Sequence, residues 1–207
     1  VTTPTLTISN TVPSITSASL NPGSGNETTT FNCVPAGWSD ADMETEDYTY
    51  RWIINTQPSA VTTASIDGND FNRGDELQCE VTPTDGIDSG TPRTSGIVTV
   101  GNTAPTIVSL SITPGSGFEI TQFACVAGGF NDADGDAPSF DYQWYVDGSP
   151  TLIGATLDGN SFDRDQEIRC EARANDRQGG VSAYISSGTI TIQNSLPTAP
   201  TATITPG

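Results

Sequence analysis

The chain has 207 residues, room for one or two domains, and only 34% of them are hydrophobic, which suits thin-cored sandwiches better than one large core. Seven basic residues stand against 25 acidic ones, for a formal charge of −18. Such a surface repels nucleic acid and anionic membrane, and attracts divalent cations or basic surfaces. All the basic residues are Arg: the sequence contains neither Lys nor His. These absences exclude a His general base, a His metal ligand, a Schiff-base Lys and a Lys isopeptide cross-link. No run approaches the length of a membrane span, so direct insertion is not expected. If the chain is exported, its secretory signal lies upstream or has been removed.

Taken in order, the elements are short alternating runs separated by turn residues. Leu6 and Ile8 form a first run, followed by the linker Asn10-Thr11-Val12-Pro13 and a turn at Pro22-Gly23. Phe31 and Cys33, then Tyr50, Trp52 and Ile54, then Leu77, Cys79 and Val81, then Val98 and Val100 each fall on one face of a strand, because side chains alternate with period two. The linker returns as Asn102-Thr103-Ala104-Pro105 and is followed by Ile107, Leu110 and Ile112 and a turn at Pro114-Gly115-Ser116-Gly117. Phe123, Cys125 and Ala127 come next, then Tyr142, Trp144 and Val146, Ile168, Cys170 and Ala172, and finally Ile190 and Ile192. A third linker, Asn194-Ser195-Leu196-Pro197, precedes Pro206-Gly207. No amphipathic helical period of useful length appears.

The linkers recur every 92 residues, as do Cys33 and Cys125 and also Trp52 and Trp144, while Cys79 maps to Cys170 with one residue deleted. This frame predicts the last strand of a preceding module at 1–10, one module at 11–101, a second at 102–193, and a linker with the first strand of a following module at 194–207. The chain is thus expected to be a segment of a longer array.

The order Cys33…Trp52…Cys79 and Cys125…Trp144…Cys170 resembles the immunoglobulin fold, in which a disulfide joins two sheets and a Trp packs on it. Asp75-Glu76-Leu77-Gln78-Cys79 is similar to that family's Asp-x-Tyr-x-Cys, with Leu77 in place of Tyr, and Gln166-Glu167-Ile168-Arg169-Cys170 departs further. The resemblance is closer to bacterial and archaeal Ig-like tandem repeats of large surface proteins, which carry the same Asn-Thr-x-Pro linker and an Asp-Ala-Asp-Gly-Asp loop before a Tyr-x-Trp strand. The neighbouring polycystic-kidney-disease-type domains have a Trp-Asp-Phe-Gly-Asp-Gly signature that is missing here. The resemblance implies an all-β fold of two tandem Ig-like β-sandwich modules. Four cysteines at equivalent places, Cys33, Cys79, Cys125 and Cys170, suggest one bridge per module. Cross-repeat pairing is awkward, since bridged Cα atoms lie within about 7 Å, and four reduced core cysteines are the remaining alternative. Bridges of this kind point to an extracellular or cell-surface location.

An acidic loop precedes each of these tryptophans. It holds Asp40, Asp42 and Glu44 in the first module and Asp132, Asp134 and Asp136 in the second. Carboxylates at alternate positions, with a Gly for the turn, suit a hard cation with six to eight oxygen ligands. Met43 stands where the second loop has Gly135. In an Ig-like sandwich the loop after the second Cys strand shares that end, which adds Asp85 and Asp176 as candidate calcium ligands. That end is expected to face the preceding module, so calcium at the junction would pin adjacent modules and stiffen an array; the plain alternative is a solvated acidic turn. Arg73-Gly74-Asp75 spells an integrin-binding tripeptide but reads first as a turn, and the sequon Asn26-Glu27-Thr28 reads first as a polar turn.

The sequence therefore predicts a non-catalytic stalk, spacer or filament segment whose partners are neighbouring Ig-like modules of the same or an adjacent chain. The other reading is an adhesive module that takes a glycan or protein ligand on its end loops. Catalysis finds no support: there is no His for a triad and no Gly-rich phosphate loop.

Overall fold

The computed structural model describes residues 5–197. The chain divides after Thr103 into two compact units, each an all-β sandwich. Among the described residues no helix is long and apolar enough to cross a membrane. Residues 5–10 lie in no strand, and of the strand expected near the C-terminus, residues 198–207 fall outside the described part.

The first unit contains β1 (Ser17–Asn21), β2 (Phe31–Ala36), β3 (Asp47–Ile54), β4 (Gln57–Pro58), β5 (Ser65–Ile66), β6 (Glu76–Thr84), β7 (Arg93–Thr94) and β8 (Val98–Thr99). One sheet runs β1-β2-β5, and the other runs β4-β3-β6-β7 with β8 also on β6. Alternation decides which side chains enter the space between them. Along β6, Leu77, Cys79 and Val81 are buried while Glu76 is exposed and Gln78 and Glu80 are half-buried. Trp52 lies opposite Cys79 on β3 and is fully buried, its indole N–H donating to the Thr63 carbonyl at 2.9 Å. Phe31 and Phe71 meet edge to face at 5.5 Å in the same core. The Cys33–Cys79 disulfide ties β2 to β6, and therefore one sheet to the other.

The second unit repeats the plan with β9 (Ser109–Thr113), β10 (Phe123–Gly128), β11 (Ser139–Val146), β12 (Ser149–Ile153), β13 (Thr156–Leu157), β14 (Glu167–Asn175), β15 (Ile185–Ser186) and β16 (Ile190–Thr191). Its sheets are β13-β10-β9 and β12-β11-β14-β15, with β16 also on β14. Cys125–Cys170 joins them, and Trp144, opposite Cys170, is again fully buried with its N–H on the Gly154 carbonyl at 3.0 Å. Both expected bridges are therefore intramodular and join the sheets.

Two features hold the same place in each unit. Gly68 and Gly159 sit where a Cβ would come within 2.0 and 1.7 Å of the Glu27 and Glu119 carbonyl oxygens, so no side chain fits there. The final strand is broken in both: between β7 and β8 the Cys79 N–H bonds to Ser95 Oγ at 3.1 Å, and between β15 and β16 the Cys170 N–H bonds to Ser187 Oγ at 3.0 Å. The Arg73-Gly74-Asp75 tripeptide is a turn tied into its own unit. Gly74 has a φ of 86°, Arg73 donates to Asn102 Oδ1 at 2.7 Å, and Asp75 accepts from Asn55 Nδ2 at 2.6 Å. The Asn26 sequon is likewise a polar turn, with Asn26 Oδ1 accepting from the Thr28 N–H at 3.1 Å.

Candidate metal centre

In each unit the acidic loop follows the first cysteine strand, and a backbone bridge brings the linker alongside it: Ser14 with Ser39 in the first unit, Thr106 with Asn131 in the second. Local geometry then aims the carboxylates. Asp40 Oδ1 accepts the Asp42 N–H at 2.8 Å, and Asp132 Oδ1 accepts the Asp134 N–H at 2.9 Å. Each of these Asx turns fixes one oxygen and leaves the other to face the loop interior. Position 43 has a φ of 64° and position 135 a φ of 73°, so both loops make the same left-handed step. Met43 makes it at a cost of about 1 kcal/mol relative to a favourable backbone, and the residue is 91% exposed. The missing glycine therefore does not abolish the loop shape.

The result is two clusters. Asp40, Asp42 and Glu44 place one carboxylate oxygen each within 4.8 Å of the others, and Asp132, Asp134 and Asp136 do the same. Several of the oxygens at these sites are buried and accept no hydrogen bond: Asp40 Oδ2, Glu44 Oε2 and Asp132 Oδ2, together with the linker amide oxygen Asn10 Oδ1. Buried anionic oxygens without donors are costly unless a cation compensates them. Asn10, Asp42 and Glu44 line one cavity of about 270 Å³, with Ile8 and Ile87 beside them. The first unit thus gathers three carboxylates, with the Asn10 amide lining the same cavity as two of them, and carboxylate and amide oxygens are hard ligands of the kind calcium takes.

Asp85 and Asp176 have a different local role. Asp85 Oδ1 accepts the Ile87 and Asp88 N–H groups, both at 2.7 Å, and its Oδ2 accepts from Asn10 Nδ2 at 2.9 Å. Those donors, the Asp88 N–H foremost, hold its pKa below the ordinary value. Asp176 is only 3% exposed, and its Oδ1 accepts the Gln178 and Gly180 N–H groups at 2.7 and 2.9 Å. Both residues organise the loop after the second Cys strand and stand outside the three-carboxylate groups. Asn10 is the site residue that sequence reasoning missed. Its Nδ2 reaches Asp85 and Asp88, each at 2.9 Å, which holds its side chain in place. The next residue, Thr11, donates its N–H to Asp42 Oδ2 at 2.5 Å. The linker's recurrence was visible, but its reach to the acidic loop was not.

Burial, and then repulsion from Asp40 and Asp42, raises the Glu44 pKa. Folded Glu44 therefore keeps its proton to higher pH than the unfolded chain does, and its ionisation costs stability as pH rises through and above the ordinary glutamate range. Without divalent cations, Glu44→Gln is expected to raise the melting temperature of the first unit near pH 7. It should give no such gain near pH 4, where glutamate is largely protonated in both states. Thermal melts in chelator at the two pH values check this, and a loss of stability near pH 7 would contradict it.

These observations define a class: tandem immunoglobulin-like β-sandwiches, each closed by an inter-sheet disulfide and each carrying an acidic loop cluster. No protein-family profile matches the chain, and no curated protein matches it. Solved structures similar to it include a two-domain fibronectin type III segment of chicken tenascin, 11% identical, covering 86% of this chain and 98% of that one with a TM-score of 0.43. A Ca²⁺-stabilised adhesin that helps an Antarctic bacterium bind ice is 13% identical over 89% of this chain and 49% of that one, with a TM-score of 0.37. Immunoglobulin domains 1–5 of Sidekick-1 are 15% identical over 91% of this chain and 40% of that one, with a TM-score of 0.38.

Proposed function

We propose that the chain is a non-catalytic structural segment of an extracellular or surface-displayed protein, a stalk or spacer whose loops are made rigid by calcium. The observation that carries this is the set of donorless buried oxygens, Asp40 Oδ2, Glu44 Oε2 and Asn10 Oδ1 in one unit and Asp132 Oδ2 in the other. A cation bound among them neutralises the carboxylates and fixes the loop and linker residues against one another. The two disulfides support an oxidising location, and the charge of −18 supports a cation rather than a nucleic acid as partner. The chain's own residues supply everything else. Asp85 and Asp88 hold Asn10 by its amide nitrogen, and the Asx turns hold Asp40 and Asp132 by one oxygen each.

A ligand bound only by the folded state stabilises it by mass action, about 2.7 kcal/mol at a hundredfold excess over Kd. For a unit of this size that corresponds to a rise in melting temperature of about 10–20 °C. The expected result is such a shift between chelator and millimolar calcium, lost from the first unit in Asp42→Asn and from the second in Asp134→Asn. No shift in the unsubstituted chain would overturn the calcium reading.

A further inference from the structure

The outer face of the larger sheet in the second unit holds a feature that the spacer reading does not use. Tyr142 and Trp144 pack inward from β11, so Asp141 and Gln143 belong to the opposite face. The register sets Asp141 directly against Arg173 of β14. Arg173 Nε donates to Asp141 Oδ2 at 2.9 Å, and Asn175 Nδ2 donates to Asp141 Oδ1 at 3.0 Å. The Arg173 guanidinium lies 5.0 Å from the centre of the Tyr184 ring, which is half exposed. Among the described residues the two Nη groups of Arg173 make no hydrogen bond. Asp141, Arg173 and Tyr184 open onto a groove of about 620 Å³, together with Ile153, which is 80% exposed. At the matching places the first unit has Thr49, Thr82 and Pro92, and so has neither the ion pair nor the ring.

We propose that this groove binds a neutral saccharide. A sugar ring presents an apolar C–H face and a rim of hydroxyls that each donate and accept. The groove offers the matching parts: an aromatic ring and an aliphatic side chain, guanidinium donors, and a carboxylate whose oxygens keep unused lone pairs after two hydrogen bonds. Arg173 is held by Asp141 and backed by Tyr184, so little side-chain freedom is lost on binding. The volume falls in the ordinary range for small-ligand sites. The chain's charge of −18 disfavours a polyanionic glycan. The site lies on a sheet face rather than on the end loops, and it uses none of the residues proposed for calcium.

Affinity electrophoresis of the 207-residue chain through gels containing neutral glucan, mannan, galactan or xylan, run in chelator, tests this separately from the calcium proposal. Retardation by at least one of them is expected, weakened at least tenfold by Tyr184→Ala and by Arg173→Ala, with melting curves showing that both variants remain folded. Thr82→Ala in the first unit should change nothing. No retardation by any of the four overturns the proposal, as does retardation that survives both substitutions. Preferential capture of an extended peptide over every polysaccharide would assign the groove to a protein ligand and overturn it equally.

Discussion

Replacing Cys33 and Cys79 together by alanine is expected to lower the melting temperature of the first unit by about 20 °C. The bridge closes 46 residues of chain, and the entropy of that closure corresponds to about 4 kcal/mol. A sandwich of this size has a total stability on the order of 5–10 kcal/mol, and each kcal/mol moves the midpoint by about 4–8 °C. Both cysteines are at most 4% exposed, so the sulfurs also leave unfilled space at the centre of the core. Calorimetry of the double variant beside the unsubstituted chain measures the shift. A fall of less than about 5 °C would mean that the sheets are held by packing alone. The equivalent Cys125 and Cys170 pair, with a separation of 45, should behave alike.

The second large effect is expected from Trp52→Ala. Truncating a fully buried large aromatic side chain typically costs about 3–5 kcal/mol, and the substitution also strips the Thr63 carbonyl of its indole donor. The first unit should therefore lose most of its stability. Trp52→Phe keeps much of the volume but not the hydrogen bond, and should fall between. Trp38 provides the contrast. It is half-buried against Tyr48 at 5.6 Å, and its removal should cost less than half as much. Denaturant titrations of the three variants give the ranking. Equal losses for Trp38→Ala and Trp52→Ala would contradict the position of the core described above.

The sandwich architecture was legible because its signals are periodic and repeated. Leu77, Cys79 and Val81 alternate into the core as their spacing required, and Trp52 and Trp144 stand opposite the second cysteines. What escaped was held by short or tertiary features. Phe71 and Phe162 are buried against Phe31 and Phe123, yet they sit in turn-rich stretches with no alternation to mark them. Their mutual spacing, which matches that of Cys79 and Cys170, was the one available signal. Six of the eight candidate ligands fall in the two acidic clusters, while Asp85 and Asp176 are engaged by backbone donors of their own loop. Asn10 could not be placed, because its contacts with Asp85 and Asp88 span more than seventy residues of sequence. The pairing of Asp141 with Arg173 depended likewise on a cross-strand register that only the folded sheet fixes.

The interrupted last strand carries a consequence for crowding. A continuous edge strand offers a row of free peptide groups on which another chain can add. Here that edge is cut into pairs of residues, Arg93–Thr94 and Val98–Thr99 in one unit and Ile185–Ser186 and Ile190–Thr191 in the other. Between them the Ser95 and Ser187 hydroxyls accept the Cys79 and Cys170 N–H groups of β6 and β14. Many copies displayed side by side at high density would thus find no ladder long enough to zip together on that flank.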